Sequence, residues 1–151
     1  MALLAYTTQI AASKTVGEII GMLASHGARS VTTDYDGQGN PVAVLFAIQT
    51  LHGERSFRLP MNGEAIWRVM VAHHHQGKIP NRFVTREQAA RVGWRIIRQW
   101  VEAQLALIET DMASLTEIML AYMIVRDDIT VYDALLETRL MLGPGTEQEA
   151  R

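Results

Sequence analysis

Three adjacent histidines, His73, His74 and His75, are the residues in this chain that most resemble a metal site. Imidazole nitrogens ligate zinc, nickel and copper. Successive side chains at a helix end diverge by about 100°, however, and a built site adds a carboxylate or a distant histidine. His26 and His52 supply one only if folding brings them there. The simpler reading is a solvated helix-end cluster, and no metal is expected. Asp34 and Asp36 share one face of a strand, with Glu54 on a neighbouring strand, so two carboxylates there suit Mg²⁺. The surrounding DYDGQGN has the composition of a solvated hairpin end, which is the preferred reading. Asp127 and Asp128 read as a connection between helices rather than a catalytic dyad. The chain has no cysteine and no glycine-rich phosphate loop, nucleophile elbow or metalloprotease helix. An enzyme is therefore disfavoured and no cofactor is expected.

The stronger constellation is basic. Lys78, Arg82, Arg86, Arg91, Arg95 and Arg98 follow one another along a loop and then one stripe of a helix, while Arg55, Arg58 and Arg68 lie near or after a strand. Guanidinium groups make multidentate phosphate contacts and stack on bases. The competing reading is a salt-bridged surface, with Arg91 paired to Glu87 and Arg98 to Glu102 at helical spacing. Residues 1–100 carry 11 Lys and Arg against 6 Asp and Glu, and residues 101–151 carry 3 against 10. The resulting +5 and −7 give a basic interaction surface beside an acidic part, or two parts that neutralise each other. Trp94 falls on an apolar helix stripe and reads as core. Trp67 and Trp100 suit a subunit interface.

The element that positions most of these arginines is residues 85–113, read as one long helix. Thr85 and Gln88 have the spacing of a capping box. Ala90, Trp94, Ile97, Val101, Leu105, Ile108 and Met112 recur every three or four residues, and Glu87, Arg91, Arg95, Arg98, Glu102 and Glu109 form an opposite stripe expected to meet water or a ligand. Ahead of it, residues 3–10 suit a first strand, and Ser13 or Thr15 suits the cap of a helix carrying Val16, Ile19, Ile20 and Leu23 that stops at His26-Gly27. Residues 30–36, 41–50 and 55–59 alternate with period 2 and form an antiparallel meander with turns at 37–40 and 52–53. Val42, Val44, Phe46 and Ile48 share one face, and Ala43, Leu45 and Ala47 make the other apolar, so helices or a partner are expected on both. Asn62 caps a helix to about Ala72 with Ala65, Ile66, Val69 and Met70 inward. Ser114 with Glu117 caps a helix to about Val125, Thr130 caps another to Met141, and Gly143-Pro144-Gly145 stops it.

The 151 residues, 48% hydrophobic and 20% charged, fit one α+β domain over residues 1–142 with a frayed polar tail at 143–151. The expected order is a small antiparallel sheet, β-α-β-β-β, followed by a helical array. The start MALLAYTTQIAASKTV lacks a basic n-region and no apolar run reaches membrane-spanning length, so a cytoplasmic location without membrane contact is expected. Two apolar sheet faces and Met112, Met119, Met123 and Met141 suggest a homo-oligomer.

The segments YTTQI, KTVGEI, HGA, FRLP and QAARVGWRIIRQWVEAQLALIE together resemble a family of small, largely uncharacterised proteins of tailed phages and prophages, over most of the chain to about Leu142. The resemblance implies a phage setting, hence a host-cell cytoplasm, and assigns no functional residue. The leading expectation is an accessory protein of phage DNA replication or recombination that binds single-stranded DNA through Arg55, Arg58, Lys78, Arg82, Arg86, Arg91, Arg95 and Arg98. The alternative is an oligomeric adaptor, or an inhibitor of a host system, that binds a host or phage protein.

Overall fold

The computed structural model describes residues 1–138. In chain order they form α1 (Ala12–Ser25), β1 (Ala28–Tyr35), β2 (Pro41–Thr50), β3 (Gly53–Arg58), α2 (Gly63–His75), α3 (Arg86–Glu109), α4 (Leu115–Met119), β4 (Ile124–Arg126), β5 (Ile129–Thr130) and α5 (Val131–Thr138). The fold is α+β, as expected, but a helix comes first. The expected helix end at Met141, the Gly143-Pro144-Gly145 stop and the polar tail lie outside the described residues.

Residues 3–10 are not a strand. Ala5 sits at φ 61°, a turn closes from Thr8 N–H to Ala5 O, and no strand neighbour lies alongside. The carbonyls of Tyr6 and Thr8 instead accept from Gln88 Nε2 at 2.9 and 2.8 Å. That amide was expected to close a capping box on Thr85. Only half of the box forms: Thr85 Oγ1 accepts from the Gln88 backbone N–H at 3.0 Å, while the side chain of Gln88 leaves to anchor the N-terminal segment. Neither Ser13 nor Thr15 caps α1, whose N-cap is Ala11 without a side-chain bond. Thr15 is buried one turn inside the helix.

The meander forms with the register set by alternation. Val31, Phe46 and Phe57 share a row, as do Thr32, Leu45 and Arg58, because antiparallel partners project to the same face. Val44, Phe46, Ile48, Phe57 and Leu59 turn inward, and Phe46 stacks on Phe57 with centroids 5.2 Å apart. Val42, expected with them, is exposed. Helices cover this inner face only. Among the described residues the outer face, with Ser30, Thr32, Asp34, Ala43, Leu45, Ala47, Ser56 and Arg58, carries no helix, so of the two covers expected there, helix or partner, the helix is absent. Most of its side chains are small or polar, and the β4–β5 hairpin flanks it, bridged at Phe57 and Met123.

Helix α3 is buried on two sides. Trp94, Ile97, Val101 and Leu105 join the sheet and α1, and Trp94 Nε1 donates to Pro41 O at 3.1 Å. Ala89 and Val92 meet Met70 of α2 and Ile79, with Tyr6, Trp67 and Phe83 around them. At Gly93 the approach is so close that a Cβ would stand 2.6 Å from Met61 Cε. Of the residues expected inward on α2, Met70 is buried and Val69 exposed. Asn62 Oδ1 caps α2 as expected, but the helix continues through His75.

The expected helix to Val125 stops at Met119, although its Ser114–Glu117 capping box forms. A 3₁₀ turn, Leu120–Tyr122, leads into β4, and Asp127 at φ 45° makes the hairpin turn to β5. Asp127 and Asp128 thus occupy a hairpin tip rather than a helix connection. The β-branched Ile124, Val125, Ile129 and Thr130 favour extended backbone there. Thr130 caps α5 as expected, with Asp133 accepting from its N–H and hydroxyl.

Candidate nucleic-acid interface

Two arginines of the α3 stripe, Arg95 and Arg98, turn toward α1. Arg95 Nη1 donates to Glu18 Oε2 at 2.8 Å and to Thr15 Oγ1 at 3.2 Å, and Arg98 Nε donates to the same Glu18 oxygen at 2.5 Å. Arg98 also bonds Glu102, and Arg91 bonds Glu87 and the Gln88 side chain. Only 16% of the Arg95 side chain and 25% of the Arg98 side chain remain exposed. The hydrogen bond from Arg95 holds the Glu18 carboxyl below its usual value, opposed next by burial and aided by Arg98. Arg95 and Arg98 thus form an ionic seam between α1 and α3 and are less open to water than expected, while Glu87, Glu102 and Glu109 of the same stripe are exposed as expected. Glu18 escaped the sequence reading because its partners lie on a distant helix. It is nevertheless the first acidic residue of the chain, alone on an amphipathic helix.

The candidates on the sheet are also apart from the rest. Arg58 lies on the outer face and reaches Asp128 at 3.3 Å, beside Ser56 and Leu45 in a groove that Asp34 and Asp127 also line. Arg55 Nη1 donates to Glu54 O at 3.0 Å. Asp36 is engaged within its own turn: it accepts from the backbone N–H groups of Asn40 and Gln38, which lower its pKa, and from the Asn40 amide. Among the described residues no group of three His, Asp or Glu side chains is placed to hold a metal ion. The His74 ring contacts Ile79 O at 2.9 Å, and His73 Nδ1 is buried without a partner.

Arg86 and Arg91 border a cleft of about 720 Å³ between the starts of α1, α2 and α3 and the β1–β2 turn. Glu87 and Asp36 border it as well, so its cations face carboxylates. Beyond it lies a surface where exposed cations and aromatic rings stand together. Lys78 and Arg82 are exposed and, among the described residues, without carboxylate partners. Arg82 lies over the Phe83 ring at 4.8 Å, and Arg86, paired with Glu64, lies over Trp67 at 4.2 Å. From residue 65 to residue 86 the chain carries Arg68, Lys78, Arg82, Arg86 and the three histidines, and no Asp or Glu. The acid-free run was legible in the sequence; the aromatic partners of the arginines were not.

No family model, curated protein or solved structure matches the chain.

Proposed function

We propose that this chain is a non-enzymatic accessory protein of phage-type DNA replication or recombination that binds single-stranded DNA at the corner joining α2 to α3. The observation that carries the reading is that Lys78 and Arg82 are exposed and, among the described residues, without an ion pair, within a run free of acidic residues. Free cations neutralise phosphates, whereas the arginines of the seam must first leave Glu18. Arg82 and Arg86 lie over the partly buried rings of Phe83 and Trp67, which hold these guanidinium groups at the corner. The phage setting is supported by the resemblance of the sequence segments alone.

The test is fluorescence anisotropy with a labelled single-stranded oligonucleotide at low salt. Wild type should bind with affinity that falls steeply as salt rises. Lys78→Gln with Arg82→Gln should weaken binding and reduce the log–log salt slope by about 1.4, two contacts at about 0.7 each. No wild-type association, or an unchanged double variant, overturns the proposal. The adaptor reading has a separate support: Leu120, Val125 and Tyr132 are exposed together around the C-terminal hairpin. It predicts no oligonucleotide binding and loss of a protein partner on Val125→Asp.

A further inference from the structure

We propose that β1 is the interface of a two-fold symmetric homodimer, in which the β1 strands of two copies pair antiparallel and join their sheets into one of six strands. The sheet order is β1-β2-β3, so β1 is a terminal strand, and among the described residues no backbone group pairs with its outer side. A free edge is a template for another strand, and proteins that keep it free protect it with short strands, charged side chains, proline, bulges or a covering segment. Between the register irregularities at Ala28/Ser30 and Asp34/Tyr35, β1 has five regular residues, Ser-Val-Thr-Thr-Asp, without proline or lysine. Three of them are β-branched.

The strand is complementary to itself. Arg29 stands at one end, exposed, and Asp34 and Asp36 at the other. Antiparallel pairing brings the Arg29 end of one copy to the Asp34 end of the second, whereas parallel pairing would set like charges together. Opposed residues in an antiparallel pair project to the same face, so the two-fold axis must pass through a residue rather than between two. The middle of the regular stretch is Thr32. Thr32 then meets Thr32, Val31 meets Thr33, and Ser30 meets Asp34 of the second copy. No like charges are opposed.

Helix α1 permits this approach. It packs on β1 and β2 and turns Glu18 and Thr15 toward α3, while Val16, Ile19 and Leu23 are buried. Helical geometry of about 100° per residue places Gly17, Gly21 and Ala24 on the flank away from α3, above the free edge. All three are exposed, and nothing lies within 4 Å of a Cβ built at Gly17 or Gly21. The α1 helices of two copies can therefore lie side by side across the axis without large side chains between them.

Light scattering at high micromolar concentration tests the interface and its register together. Wild type should have twice the mass of one chain. Thr32→Lys and Thr32→Glu should each have the mass of one chain, because each opposes like charges at the axis, with far-UV circular dichroism unchanged since Thr32 is exposed. An equal mixture of the two should recover the doubled mass. A wild-type monomer, as when another segment covers the edge, overturns the proposal; so do single variants that stay dimeric, or a mixture that stays monomeric. As a check independent of charge, Thr32→Cys in this cysteine-free chain should give a covalent dimer with a short bismaleimide. Its absence would also count against the register.

Discussion

Arg95 Nη1 lies 2.8 Å from Glu18 Oε2 across 77 positions of sequence, and this contact makes the arginine stripe part of the scaffold. The same carboxylate oxygen serves Arg98. Glu18→Gln should therefore destabilise the domain by about 1–3 kcal/mol, the cost of leaving half-buried guanidinium groups short of an acceptor. Arg91→Gln, Arg95→Gln and Arg98→Gln together should lower the melting temperature while leaving oligonucleotide affinity of the folded protein near wild type. An unchanged melt would remove the seam.

The pH dependence follows from His26. Its Nε2 is 2.6 Å from Glu109 Oε1 and its Nδ1 is 2.8 Å from Met22 O, so both nitrogens face acceptors and the protonated ring satisfies both. Glu109 first, then the Met22 carbonyl, raises the His26 pKa above 6.5. The stabilisation is thus fully present below 6.5 and is lost as pH rises through the higher folded-state value. The stability difference between wild type and Glu109→Gln, from denaturant midpoints, should be largest at mildly acidic pH and shrink on the alkaline side. A difference that grows with pH would contradict the pairing.

Ile97→Asp should cost about 4 kcal/mol or more, because the carboxylate would enter the core beside buried Trp94 and Val101 without a partner. A thermal melt like that of wild type would show that the packed face of α3 is misassigned.

Gln88→Ala should release the N-terminal segment while costing the rest of the fold little, about 1–2 kcal/mol for the lost bonds. Hydrogen exchange should quicken across α1's start and the residues before it, with α3 still protected. Uniform protection would mean that packing of Leu3 and Tyr6 suffices without the amide.

The long helix was legible because Thr85 caps it and Trp94, Ile97, Val101 and Leu105 keep one period over many turns. The meander was legible because Val44, Phe46 and Ile48 alternate. Residues 3–10 misled because short apolar and threonine-rich stretches suit a strand, and only the distant Gln88 gives their carbonyls another donor. The β4–β5 hairpin is too short to show a period. The candidate cations were all visible, yet their surroundings depended on tertiary contact: Glu18 ties Arg95 and Arg98 to α1, while Lys78 and Arg82 are exposed.

The anchoring of the first residues by Gln88 has a consequence during synthesis. Tyr6 and Thr8 leave the ribosome before α3, and the side chain that fixes them follows 82 and 80 positions later. Ala2, Leu3 and Tyr6 must stay uncovered until Trp67, Phe83 and α3 have emerged to receive them. A nascent chain halted before α3 would carry these apolar residues exposed, as ready ligands for a chaperone, and the segment would be sealed only as α3 takes shape.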